Sequence, residues 1–149
     1  MLDDIDKQII GKLAKDGRLS LTNLSNGMDI SRVAIATRID KLIESGILKI
    51  SASLSLDKLN YQTLIVEMQV PKKQQEEFRK VISVNAKVLN CFEVSGQYNY
   101  LLICSAKNNN NLRHFIEHDL KRFADDCKVT LSSNPVYPEF VYLKHLENE

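Results

Sequence analysis

The apolar residues change their spacing part-way along the chain, and this constrains the fold more than any other feature of the sequence. From Ile5 to Ile43 they recur at three- and four-residue steps, the spacing of amphipathic helices. From Tyr61 onward they fall largely into alternating runs, the spacing of strands, with helical stretches between them. A chain of 149 residues holds one domain or two small ones. The change in spacing implies a helical domain over 1–50, a linker strand over 51–60 and a mixed domain over 61–149.

The first domain reads as three short helices. Asp3 or Asp4 caps a helix through Ile5, Ile9, Ile10 and Leu13, with Gly17 as its stop. Ser20 caps a second helix of barely two turns through Leu21 and Leu24. Gly27 falls inside it and is expected to weaken it by about 1 kcal/mol relative to alanine. The turn that follows gives a left-handed residue to Asp29, since Asp tolerates positive φ. Ser31 caps a third helix with a buried stripe of Ile35, Ile39, Leu42 and Ile43, closed by Gly46. Lys49 to Ser55 follow as an extended stretch with Ile50, Ala52 and Leu54 on one side. Two helices joined by a short turn, with a third packed across them, form a helix-turn-helix.

The face of the third helix opposite its stripe carries Val33, Ala34, Thr37, Asp40, Lys41 and Glu44, with Arg32 in the first turn and Arg38 on a flank. No acid precedes Asp40. Methyl groups and arginines without acids suit a groove-reading helix, because methyls contact thymine and arginine pairs with guanine or phosphate. Ser31 to Lys41 is thus the expected reading segment, with Arg32, Val33, Ala34 and Thr37 nearest the bases. Arg38, Lys41, Arg18 and Ser20 are expected to hold phosphates of double-stranded DNA. Residues 1–55 carry eight Lys/Arg and seven Asp/Glu, so there is no basic domain. Affinity per subunit is expected to be modest and to depend on self-association. The alternative is a ligand-sensing or assembly module whose helix-turn-helix contacts protein instead.

The second domain reads as βαββαβ. A strand over Tyr61–Val70 places Leu64, Val66, Met68 and Val70 on one face, and a helix spans Lys72–Val84. Strands Val88–Ser95 and Tyr98–Ala106 flank a turn at Ser95–Gly96–Gln97, a helix runs through Leu112, Phe115, Ile116, Leu120 and Phe123, and a last strand spans Lys128–Ser133. That order is the ferredoxin-like sandwich, an α+β fold with two helices on one face of an antiparallel sheet. Leu101 and Ile103 alternate with Tyr100, Leu102 and Cys104, and Ile65 with Leu64 and Val66, so the strands are apolar on both faces. Both faces then need covering, and a homodimer of apposed sheets does this. Its two-fold symmetry presents two reading helices to half-sites roughly 34 Å apart or a multiple of that.

Rival chemistries are poorly supported. His114–Phe115–Ile116–Glu117–His118 fits a zinc-protease pattern, but the apolar stripe of the same helix turns both histidines to solvent, so no metal site is expected. Cys91, Cys104 and Cys127 read as reduced thiols of a cytoplasmic protein, with Cys91 and Cys104 close across neighbouring strands. The five glycines form no phosphate loop, and no apolar run approaches the ~20 residues of a membrane span. No enzyme activity, cofactor or membrane partner is expected.

The opening Leu2-Asp3-Asp4-Ile5-Asp6-Lys7-Gln8-Ile9-Ile10, then Leu13, Asp16-Gly17-Arg18-Leu19-Ser20, Leu24, Ile30-Ser31, Arg38-Ile39, Leu42 and Gly46-Ile47-Leu48-Lys49, resemble the Lrp/AsnC (leucine-responsive, feast/famine) family of transcriptional regulators. Ser95 to Leu102 is similar to the hairpin of that family's amino-acid-sensing module. The resemblance implies a winged helix-turn-helix, a linker strand, a RAM-type βαββαβ domain that dimerises through its sheet, and octamers built from four dimers. It also implies an amino-acid effector near the hairpin and the last strand, which nominates Gly96, Tyr98 and Asn99, with Thr130 and Ser132 opposite. The family usually has an acid where this chain has Asn99, so an effector's ammonium group loses a charged partner there. Val33 and Ala34 replace common hydroxylic residues, which shifts readout toward arginines, methyl contacts and DNA shape. Pro135 and Pro138 interrupt the tail and set apart an extended segment over Glu139 to Leu143.

Overall fold

The computed structural model describes residues 2–124, 126–136 and 140–142. They form two compact units that divide between Ser51 and Ala52. The first contains α1 (Asp4–Lys15), α2 (Leu21–Ser25) and α3 (Arg32–Glu44). Asp3 is the cap of α1: it accepts the Asp6 N–H at 2.8 Å, and Asp6 accepts the Asp3 N–H at 3.3 Å, a capping box made by two acids. Ser20 and Ser31 cap α2 and α3, each accepting an N–H three residues on at 3.2 Å. Ile9, Leu13, Leu24 and Ile35 form the core of this unit. Ile43 departs from the expected stripe and is 44% exposed. Eight residues beyond Ile35 it has rotated about 80° away from the core direction.

Three turns differ from expectation for identifiable reasons. The left-handed residue between α2 and α3 is Gly27, with φ of 76°, and not Asp29. Because α2 already ends at Ser25 with Asn26 as its cap, Gly27 lies beyond the helix, where glycine stabilises the exit and the expected penalty does not arise. Helix α1 stops without help from Gly17. Its cap residue Asp16 is extended, and the Asp16 carboxylate accepts the Arg18 N–H at 2.9 Å. Gly46 does close α3, with φ of 72° and the paired bonds Gly46 N–H to Ile43 O and Ile47 N–H to Leu42 O of a Schellman motif.

The second unit begins with β1 (Leu54–Ser55), which pairs with β6 (Phe140–Val141). Only these two residues of the extended stretch Lys49–Ser55 enter a ladder. Of the segment expected over Glu139 to Leu143, Glu139 and Leu143 lie outside the described residues, as does Pro138. Between β1 and β6 run β2 (Gln62–Met68), α4 (Gln75–Val84), β3 (Val88–Glu93), β4 (Tyr100–Ala106), α5 (Asn109–His114) and β5 (Cys127–Ser132). The antiparallel sheet has the order β3-β4-β2-β5, the ferredoxin-like arrangement. Lys72–Gln74 of the first expected helix is a 3-10 turn, and α5 continues as a π-helical turn over Phe115–Leu120 and a 3-10 turn over Lys121–Phe123.

Leu64, Val66, Met68 and Val70 are buried on one face against Phe78, Leu112, Phe115, Leu120 and Phe123. The Phe78 ring meets Tyr100 and Phe123 edge-on at 4.8 and 5.6 Å. On the other face Ile65, Leu101 and Ile103 are half-buried and Phe92 is exposed.

Candidate nucleic-acid interface

Helix α3 presents its N-terminal half to solvent as its periodicity requires. Val33 is 77% exposed; Arg32, Thr37 and Lys41 are exposed, and Ala34 is half-buried. The Thr37 hydroxyl donates to the Val33 carbonyl at 3.0 Å, which leaves its methyl as the outward group. Arg32 donates to Thr22 Oγ1 at 3.4 Å, so it lies against α2. Ala34, Thr37, Arg38 and Lys41 line one hollow of about 600 Å³ with Leu2 and Ile47. Arg18, Ser20, Arg32 and Val33 stand outside that hollow, and the Ser20 and Ser31 hydroxyls serve as helix caps.

Arg38 is held in a way the sequence did not reveal. Its Nη1 donates to Asp3 Oδ2 at 2.6 Å and to Asp6 Oδ1 at 2.7 Å, binding α3 to the start of α1. The Asp6 N–H, and then Arg38, hold the Asp3 carboxyl below the usual carboxylate range, while Asp6 and Asp3 raise the Arg38 guanidinium. One cation between two carboxylates leaves these three side chains with a net charge of −1, beside Lys41 in the same hollow. Lys12 of α1 donates to the Leu24 and Asn26 carbonyls at 2.8 and 2.5 Å and so satisfies the end of α2. Neither contact has a local signature, since Asp3 and Arg38 are 35 positions apart.

The effector nominees divide into separate places. Tyr98 lines a depression of about 340 Å³ with Glu67, Ser95, Gln97 and Lys128, where Lys128 pairs with Glu67 at 2.9 Å. The Tyr98 hydroxyl faces Asp126 at 3.5 Å; burial first, and Asp126 second, raise its pKa. Gly96 takes φ of 136°, a backbone that a side chain would strain. Thr130 and Ser132 pair with Ile65 and Thr63, two and four residues along β5 from Lys128, or roughly 7 and 13 Å. Ser132 lines a different hollow, with Asp57 and Asn134. Glu67 and Lys128 have no local signature in the sequence, since the two partners are 61 positions apart.

Asn99 is committed to the backbone. Its Oδ1 accepts the Val70 N–H and its Nδ2 donates to the Val70 carbonyl, both at 2.8 Å, while its own N–H donates to Met68 O at 3.0 Å. The side chain thus copies a strand neighbour and extends the pairing of β2 beyond Met68. The connection between β3 and β4 covers residues 94–99, longer than the expected turn at Ser95–Gly96–Gln97.

His114 and His118 are both exposed with ring centroids 4.3 Å apart, and among the described residues no group of three metal-ligating side chains forms. The cysteines form no disulfide, and burial pushes the Cys104 thiol up to about 12. No helix among the described residues is long and apolar enough to cross a membrane.

Comparison with known proteins places these features. The family model described as AsnC-type helix-turn-helix domain matches residues 2–43, and the Lrp/AsnC ligand binding domain matches residues 63–139. The chain belongs to the Lrp/AsnC family. The HTH-type transcriptional regulator LrpA of Bacillus subtilis is 31% identical over 84% of this chain and 93% of its own length. An uncharacterized HTH-type transcriptional regulator of Pyrococcus abyssi is 30% identical over 78% of this chain and 81% of its own. A transcriptional regulator of Neisseria meningitidis, solved as a complex with L-Met, superposes with a TM-score of 0.76 at 25% identity, covering 91% of this chain and 92% of that one. This Lrp/AsnC chain is a DNA-binding transcriptional regulator whose α1 to α3 form the helix-turn-helix.

Proposed function

We propose that this regulator reads double-stranded DNA as a homodimer, with Ser31 to Lys41 of α3 in the major groove. The observation that carries this reading is the exposed, acid-free surface of Arg32, Val33 and Thr37 ahead of Asp40. Arg32 contacts guanine, while Val33, Ala34 and the Thr37 methyl meet thymine methyls. Arg18, Ser20 and Lys41 hold phosphates. Arg38, flanked by Asp3 and Asp6, sets the pitch of α3 on α1 and takes no phosphate of its own. The variant Arg32→Ala is expected to lower the preference for a specific over a random duplex about tenfold, roughly one lost base contact, with little change in salt dependence. Competition gel shifts measure both, and an unchanged preference removes Arg32 from base readout.

Ile65, Phe92, Leu101 and Ile103 form the apolar sheet face on which two subunits pack, and dimers assemble further into octamers. The thiols and the DNA partner fit a cytoplasmic location. The effector is an amino acid seated in the depression at Tyr98. Its carboxylate meets Lys128 and its ammonium meets Glu67, which supplies the negative charge that Asn99 lacks. Thermal-shift titration with aliphatic amino acids is expected to find a stabilising ligand whose half-saturating concentration rises about tenfold in Glu67→Gln, the effect of one charged hydrogen bond. An equal response in the variant assigns the ligand elsewhere.

A further inference from the structure

The edge strand β5 leaves part of the helix-covered side of the sheet open. Val129 pairs with Val66 and Leu131 with Leu64, so all four lie on that side. Yet Val129 and Leu131 are 42% and 72% exposed where their partners are buried. Between β5 and the α5 helix runs a groove of about 420 Å³ with an apolar lining of Leu64, Leu112, Ile116, Cys127 and Val129. That volume lies in the range of small-molecule pockets, as does a mostly apolar wall with a few polar groups at its edge.

Two further observations point to a ligand and to its charge. The helical wall of the groove is where α5 gives way to the π-helical turn Phe115–Leu120, a rare conformation that concentrates at functional sites. At the rim, Glu117 and Lys121 neutralise each other at 2.8 Å. Arg113 stands beside them and shares the field of Glu117, so these three rim side chains carry two positive charges against one negative.

We propose that this groove binds a small carboxylate with an aliphatic tail, the tail lying on Leu112, Ile116, Cys127 and Val129 and the carboxylate on Arg113. A guanidinium suits a carboxylate because two parallel N–H groups meet its two oxygens. Glu67, Leu101 and Lys128 occupy the opposite face of the sheet from Val129, so the groove is separate from the depression at Tyr98. The Lrp/AsnC chain then has a second small-molecule input, and this inference stands whether or not an amino acid binds at Tyr98.

Cys127 makes the proposal measurable, since its half-buried thiol lies in the groove while Cys91 and Cys104 lie outside it. The full-length protein is labelled with iodoacetamide with and without octanoate, and each cysteine peptide is followed by mass spectrometry. Octanoate is expected to slow labelling of Cys127 at least fivefold with Cys91 unchanged, and octylamine at the same concentration is expected to leave Cys127 unprotected. Arg113→Gln, a change at an exposed position, is expected to raise the half-protecting octanoate concentration about tenfold, and calorimetric titration is expected to return the same midpoint for each protein. Absent protection, equal protection by octylamine, or an unchanged midpoint in Arg113→Gln overturns the proposal.

Discussion

Replacing Val33 by glutamate is expected to weaken binding to a specific duplex about 100-fold while the protein stays folded. Val33 is 77% exposed and packs on nothing that holds the first unit together. A glutamate in the first turn of a helix is favoured by the helix dipole, so α3 itself is not weakened. At the DNA surface the same carboxylate faces base-edge acceptors and two rows of phosphates, and Arg32 beside it is drawn away from guanine. Like charges brought together at an interface cost several kcal/mol, and about 2.7 kcal/mol already corresponds to the stated loss. Fluorescence anisotropy over a salt series measures it, with circular dichroism confirming helical content. Affinity within threefold of the unaltered protein contradicts the placement of α3 in the groove.

Asn99→Asp is expected to destabilise the second unit by about 2–3 kcal/mol at neutral pH. The amide satisfies both polar groups of Val70, and aspartate can satisfy only one of them. Its second oxygen confronts the Val70 carbonyl, so a hydrogen bond is replaced by repulsion between two acceptors, beyond the simple loss of one partner. The pH dependence identifies the cause. An aspartate in this position is more easily protonated in the folded state than in the unfolded one, so its folded pKa lies above its unfolded value. The stability deficit is then full above the folded pKa and shrinks as pH falls through it, when the acid can donate to Val70 O. Urea unfolding at several pH values measures this; a deficit below about 0.5 kcal/mol, or one that grows on acidification, rules out the strand-mimicking role.

The contrast between α3 and Asn99 shows what is legible in a sequence of this kind. The exposed face of α3, the serine caps and the Gly46 exit follow from spacing within one turn or two, and these local rules hold in the structure. The βαββαβ order followed from the same alternation, because burial of one strand face is recorded every second residue. The misplaced left-handed residue came from competition between two candidates: Gly27 and Asp29 both suit a turn, and glycine carries no steric cost. Contacts between distant segments left no trace. The clasp of Arg38 by Asp3 and Asp6, the Lys12 bonds to α2 and the pairing of Glu67 with Lys128 each join residues that only the fold brings together. Polar side chains such as Asn99 are equally opaque, since an amide in a loop reads the same whether it meets a ligand or a backbone.

The most direct measurement is selection of fragments from a random double-stranded DNA pool by the purified full-length protein, repeated at rising salt. Enrichment of a two-fold related motif is predicted, with half-sites roughly 10 base pairs or a multiple of that apart and retention that falls steeply with salt. Failure to enrich any duplex at low salt, or enrichment of a lone half-site by a protein that sediments as a single subunit, contradicts the account.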